Sequence, residues 1–189
     1  MDDVNVLVVF YSKTGLTERL AVLLAEGAIQ AGAKIRLRRS RDLMPEELIS
    51  LDETWRSERD RMHKEFAAPR LEDVAWAHVI AFGSPAAIGG VSVELGATLS
   101  HIGTLPKGSL TGKAATAFTS SYGKMAGAEL ALSELQAHLL RLGLVTLPVP
   151  WEAGRVKIDE SMNDYELARM HGRNLTALGR ALLALDRSA

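Results

Sequence analysis

The sequence contains no cysteine. Disulfides, thiolate catalysis, iron–sulfur clusters and cysteine-type zinc sites are excluded with it. Neither sign of charge is in surplus: 22 Lys and Arg face 23 Asp and Glu, a formal net charge of −1. A general nucleic-acid binder needs a marked basic surplus to neutralise phosphates, so that class is excluded too. The same balance argues against a strongly acidic carrier that docks on basic partners. No apolar stretch approaches the length of a membrane span. The starting M-D-D-V has no basic n-region, and the apolar run after it is too short for a signal peptide, so the expected location is the cytoplasm. There is no G-x-S-x-G and no H-E-x-x-H, and the five histidines form no obvious cluster. His138 and His171 fall within expected helices, where packing or surface roles are commoner than ligation.

What is present suits one α/β domain. A chain of 189 residues, 47% hydrophobic and 24% charged, can bury a sizeable core, but two full domains would be cramped. No repeat, low-complexity tract or linker interrupts it, so residues 1–189 are expected to form a single domain. Residues 4–11 are almost all apolar and rich in Val, the habit of a parallel strand buried on both faces. A helix is expected over about 16–31, with Leu16, Leu20, Leu23, Leu24 and Gly27 on one face and Gly32 as its C-terminal cap. Residues 34–39 alternate and read as a strand nearer the sheet edge. Strands are expected at 79–83, 113–119 and 144–149, with helices around 92–101 and 126–142. Asn163 or Asp164 should cap a final helix running to about Leu185. Alternating strands and helices imply a parallel sheet with helices on both faces, and such sheets bind ligands at the strands' carboxyl ends.

Residues 42–65 are different, being dense in charge through P-E-E-L-I-S-L-D-E-T-W-R-S-E-R-D-R-M-H-K-E. The favoured reading is an exposed or lid-like helical excursion, solvated and laced with i,i+4 ion pairs. The sharper alternative puts Trp55 in a subunit contact or over a ligand.

Three strands end in loops rich in small and hydroxyl residues: S-K-T-G-L-T, S-P-A-A-I-G-G and S-S-Y-G-K-M-A-G. In the first, Ser12, Thr14 and Thr17 can each donate a hydroxyl hydrogen bond, and Gly15 lets the backbone approach a ligand. The helix opening near Leu16 would aim its free N–H groups and positive dipole end into the loop, a ready phosphate site. The plainer alternative is a helix cap, which needs one hydroxyl where three are offered. Lys13 either assists the phosphate or points to solvent. Two decoys fall away. G-S-L-T-G-K at 108–113 has too few residues between its glycines for a Walker loop, no Ser or Thr after Lys113, and precedes a strand. Ser121–Lys124 spells S-x-x-K without the partner motifs of a penicillin-binding serine enzyme.

The first loop resembles the FMN-phosphate loop of the flavodoxin superfamily, S/T-x-T-G-x-T, which Ser12, Lys13, Thr14, Gly15, Leu16 and Thr17 match at every position. The second, A-F-G-S-P-A-A-I-G-G, is similar to the F-G-S/T-P-T-R-F-G-N loop of WrbA-type NAD(P)H:quinone oxidoreductases through Phe82, Gly83, Ser84, Pro85 and Gly89. L-T-G-K-A-A-T-A-F-T-S-S resembles that family's Y-G-K-x-x-x-x-F-S/T-S, and the last helix is similar as well. The likeness runs over most of the chain and is weakest at 42–70.

The resemblance implies a flavodoxin-like α/β fold, a five-stranded parallel sheet in the order 2-1-3-4-5. It implies FMN as cofactor and NADH or NADPH as co-substrate. Ser12–Thr17 would hold the phosphate. Pro85, Ala86, Ala87, Ile88 and Gly89 would run beside the isoalloxazine. Ser120, Ser121, Tyr122, Gly123 and Lys124 would close its other side. No catalytic residue is assigned, because the cofactor carries the chemistry. The expected activity is NAD(P)H-dependent two-electron reduction of a quinone-like acceptor, with assembly as a dimer or tetramer. The alternative is an electron carrier without its own catalysis. Departures gather on the acceptor side: Ala87-Ile88 stand where the family has Arg-Phe, Gly90 where it has Asn, Arg141-Leu142-Gly143 where it has His-His-Gly, and Leu105 near its pocket aromatic. The segment after the last strand is shortened to W-E-A-G-R-V-K-I-D-E-S-M-N.

Overall fold

A computed structural model describes residues 3–86, 89–121, 127–148 and 162–186. The first strand, β1 (Asn5–Phe10), is buried from Val6 to Phe10. Its apolar residues serve both faces of the sheet. Val6, Val8 and Phe10 join one hydrophobic cluster, and Leu7 and Val9 join the other. A strand sandwiched in this way needs apolar side chains at every position, which is why 4–11 read as an unbroken run.

The chain then alternates through α1 (Leu16–Gln30), β2 (Lys34–Arg39), α2 (Glu46–Ile49), α3 (Glu53–Glu65), α4 (Leu71–Trp76), β3 (Val79–Pro85), α5 (Val93–Ile102), β4 (Ala114–Ser120), α6 (Ala128–Arg141), β5 (Val145–Thr146) and α7 (Met162–Asp186). The five strands form one sheet in the order β2-β1-β3-β4-β5. Every neighbouring pair is parallel, with Val6 opposite both Ile35 and Val79, and Val79 opposite Ala114. The expected fold and strand order are therefore found. The winding direction switches between β1 and β3, and that switch point opens a crevice at the strands' carboxyl ends.

The helices pack on the two faces unequally. Helices α1 and α7 cover the face of Val4, Val8 and Phe118. They approach so closely that a Cβ on Gly27 would lie 1.9 Å from the Arg169 carbonyl oxygen, and one on Gly172 would lie 2.0 Å from that of Leu24. Gly27 therefore belongs to the apolar stripe through backbone contact. The other face carries Leu95, Leu99 and Ile102 of α5 with Leu135 and Leu139 of α6. Behind β4, the Thr116 hydroxyl lies 2.7 Å from Nε2 of the buried His171, whose burial lowers its pKa to about 4.

Element boundaries differ from the sequence expectations in instructive places. Helix α4 went unrecognised, because its six residues are too few to show a helical period. Strand β5 pairs over only two residues, Val145 and Thr146, and Leu147 adds a backbone bond to Ala115. The final helix begins at Met162, ahead of both expected caps. The expectation for 42–65 is met in most respects: ion pairs are present and most of α3 is exposed, as in a lid-like helix, while one edge of it is packed. Met62 is fully buried and Arg59 nearly so, and Trp55 is half-buried.

Candidate functional site

The carboxyl ends of β1, β3 and β4 meet around a cavity of about 260 Å³. The first loop contributes Ser12, Lys13, Thr14, Leu16 and Thr17 to its wall, the second Pro85, and the third Ser120 and Ser121. Gly15 turns to the outer flank of the loop, beside Glu18 and Arg61. Ala86 is buried and donates its N–H to the Ser120 carbonyl, which ties the second loop to the third. Gly89 continues that contact, since a Cβ on Gly127 would fall 2.2 Å from the Gly89 Cα. Ala87, Ile88, Tyr122, Gly123 and Lys124 lie outside the described residues.

The first loop leaves the start of α1 open. Gly15 is the N-cap residue of α1 and sits at φ 88°, a left-handed conformation open to glycine; no side-chain cap closes the helix. The alternative of an ordinary hydroxyl cap is therefore not what the loop does. Ser12 Oγ accepts from the Gly15 N–H at 3.0 Å, which leaves its own O–H free to donate. The first-turn N–H groups and the positive end of the helix dipole remain for an incoming anion. The loop backbone is held from beneath: the buried Arg39 guanidinium donates to the Ser12 carbonyl at 2.9 Å. Thr17 is more committed than the sequence suggested. Its hydroxyl and that of Ser120 lie 2.7 Å apart, both buried, and pin the first loop to the third.

Lys13 is partly exposed but engaged. Its ammonium pairs with Asp52 at 3.1 Å and stands 4.2 Å from the centre of the Trp55 ring. Trp55 lines the cavity and donates Nε1–H to Asp42 at 3.1 Å. Helix α3 is thus a cover laid over the site, fastened again where Arg61 reaches Glu18 on the first turn of α1 at 2.9 Å. The ligand-covering reading of Trp55 expects this place on the cavity wall.

A buried polar cluster underlies this cover. Asp42 accepts from Arg39 at 2.8 and 3.2 Å, from the Tyr11 hydroxyl at 2.9 Å and from Trp55, with His63 Nε2 at 3.2 Å. Burial by itself would raise the Asp42 carboxyl, but the Arg39 guanidinium and these donors hold it below the ordinary range. The Tyr11 phenol is pushed well up, by burial first and by Asp42 second. Glu94, on the first turn of α5, is also raised, by burial first and then by the Asp42 charge. Tyr11, Met44, Ser92, Val93 and Glu94 line the cavity and were missed by sequence reasoning. Tyr11 was counted as strand and Glu94 as helix, and no motif distinguishes either.

Hydroxyls, an uncapped helix start and a roofed cleft gather at the switch point. The class the fold defines is flavodoxin-like. A crystal structure of a flavodoxin, WrbA-like protein from Agrobacterium tumefaciens matches the fold with a TM-score of 0.71 at 22% identity, over 95% of this chain and 99% of that one. An archaeal flavodoxin matches with a TM-score of 0.66 at 13% identity, over 93% and 99%.

Residues 4–154 match the family described as NADPH-dependent FMN reductase, and the chain belongs to it. A Deinococcus radiodurans protein named NAD(P)H dehydrogenase (quinone) is 31% identical over 187 residues, covering 98% of this chain and 90% of its own length. A Geobacter sulfurreducens protein of the same name is 33% identical over 159 residues, 82% of this chain and 77% of its own length. Membership carries the expectation of FMN and NAD(P)H with it. No helix among the described residues is long and apolar enough to cross a membrane.

Proposed function

We propose that the chain is an FMN-dependent oxidoreductase that takes reducing equivalents from NADH or NADPH and delivers two electrons to a quinone or similar small acceptor. The observation that carries this reading is the first loop: an uncapped α1 start beside a Ser12 hydroxyl that still has a proton to donate. Family membership and the similarity to proteins named NAD(P)H dehydrogenase (quinone) support it further.

FMN, when bound, supplies the two-electron storage between donor and acceptor. Ser12 and the first-turn N–H groups of α1 would hold its phosphate. Thr14 shares that loop, and Thr17 keeps the loop attached to Ser120. Pro85, Ala86 and Gly89, with Ala87 and Ile88 between them, would flank the ring on one side. Ser120 and Ser121, with Tyr122, Gly123 and Lys124, would flank the other. Trp55, Met44 and Val93 would offer FMN apolar surface. Assembly as a dimer or tetramer in the cytoplasm belongs to the same reading.

The test is direct. Purified protein reconstituted with FMN should show the flavin absorbance bands after desalting and oxidise NADH or NADPH when benzoquinone is present. Failure to retain FMN on titration would sink the reading. Retention of FMN without NAD(P)H turnover would point to the electron carrier instead.

A further inference from the structure

The second loop leaves β3 and returns into α5, and it is tied down at several points. At its base the buried Ser84 Oγ accepts the Ser92 N–H at 2.8 Å. On its near limb Ala86 donates its N–H to the Ser120 carbonyl and packs with Ala128 and Ala131 in a small buried cluster. The far limb goes to α6. Gly89 lies against Gly127, the N-cap of that helix, where a Cβ would fall 2.2 Å from the Gly89 Cα. Two turns further along α6, Glu134 Oε2 accepts the Val91 N–H at 2.8 Å. The same oxygen would stand 3.1 Å from a Cβ on Gly90, so the carboxylate rests directly on the loop backbone. Its other oxygen faces His138 at 3.9 Å. Gly127, Ala131 and Glu134 follow one another at i, i+4 and i+7, which puts them on one face of the helix.

We propose that Glu134 is a positioning residue of the cofactor site, setting the far limb of the second loop at a fixed spacing from the third. The proposal rests on the functional reading above, in which these two loops flank the two sides of the flavin ring. Helix α6 is the element common to both. The third loop runs into its start at Gly127, and the second is gripped along its flank at Glu134. The ties at Ser84 and Ala86 hold the end of the second loop nearest the sheet, and they leave the limb from Gly89 to Val91 to α6. The approach of Gly89 to Gly127 is a steric contact, which resists inward movement only. Glu134 supplies the opposing pull, through a hydrogen bond that its anionic acceptor strengthens. It acts through the Val91 backbone and contributes no chemistry of its own. Its side chain is 48% exposed, so replacing it leaves the packed face of α6 untouched.

The experiment compares wild type with Glu134→Ala, which removes the acceptor, and Glu134→Gln, which keeps an acceptor oxygen without the charge. The first readout uses protein without cofactor. Amide hydrogen exchange at Val91, followed by NMR, should be about fivefold faster in Glu134→Ala, the net worth of one hydrogen bond, and close to wild type in Glu134→Gln. The second readout is FMN titration. Glu134→Ala should raise the FMN dissociation constant about fivefold and alter the visible circular dichroism of the bound flavin, and Glu134→Gln should restore both. Urea midpoints should agree across all variants, which separates loop placement from global stability. Equal Val91 exchange in wild type and Glu134→Ala overturns the proposal, and so does a loss in Glu134→Gln as large as that in Glu134→Ala. Should Glu134→Ala fail to fold, Glu134→Asp, whose carboxylate falls one methylene short of the Val91 N–H, takes its place with the same outcomes. Wild type that binds no FMN overturns the functional reading and, with it, the flavin role of Glu134, while Val91 exchange still decides whether Glu134 holds the loop. FMN bound with equal affinity and spectrum in every variant overturns Glu134 alone.

Discussion

The first loop and helix α3 face each other across one cavity, and they take their shape by different means. Residues 12–17 are turned by their own neighbours, Ser12 Oγ accepting the Gly15 N–H and Gly15 supplying the turn, and Arg39 and Ser120 then pin the loop from afar. Helix α3 is organised by partners far along the chain: Lys13 for Asp52, Asp42 for Trp55, and Glu18 for Arg61. Local bonds write themselves into short motifs. Distant ones leave only a charge-dense stretch whose residues suit a solvated surface equally well. Asp42 joins the two regions, because Arg39 runs from it to the Ser12 carbonyl while Trp55 and His63 reach it from α3.

Removing that joint should have the largest effect. Asp42→Ala leaves the buried Arg39 cation unpaired, and urea unfolding should show a loss of about 3–5 kcal/mol. FMN affinity should fall as well, since Arg39 positions the Ser12 backbone. If stability and affinity both hold, the two regions are independent.

The sheet beneath both regions provides the next measurement. His171 is neutral in the fold, with a pKa lowered by burial from 6.5 to about 4. The unfolded chain takes up the proton first as pH falls. Stability from this group is therefore whole above pH 6.5 and is lost as pH drops from 6.5 to about 4, on the order of 3 kcal/mol. Urea midpoints measured across that window should fall more steeply in wild type than in His171→Gln. Parallel curves would mean that acid lability comes from the Asp42 cluster.

Two smaller effects sharpen the contrast. Thr17→Val orphans the buried Ser120 hydroxyl and should cost about 1–3 kcal/mol of stability, together with FMN retention. Loss of FMN with full stability would return Thr17 to a purely ligand-facing role. Lys13→Met should do least. Its exposed pair with Asp52 contributes about 0–1 kcal/mol, and FMN titration should show a change of about threefold or less. A tenfold loss would instead make Lys13 a phosphate ligand.

Legibility followed the range of the interactions. β1 was visible because burial on both faces leaves a continuous apolar run. α1 was visible through its leucine spacing, and the loop between them through its hydroxyls and glycine. Of the expected site residues, Ser12, Lys13, Thr14, Leu16, Thr17, Pro85, Ser120 and Ser121 come to one cavity wall. Tyr11 and Glu94 could not be found this way, because a tyrosine at a strand end and a carboxylate on a first helical turn are ordinary, and only the fold brings both to the cavity.

The sequence by itself determined the strand–helix alternation and the cluster of hydroxyls and glycine that follows β1. These depend on residue type and on spacings of a few positions. Only the tertiary structure decided that α3 roofs the cavity, that Thr17 binds Ser120 and that Asp42 gathers Arg39, Tyr11 and Trp55. Those partners lie on different strands and helices, and their pairing and protonation follow from which elements the fold brings together and how far it excludes water from them.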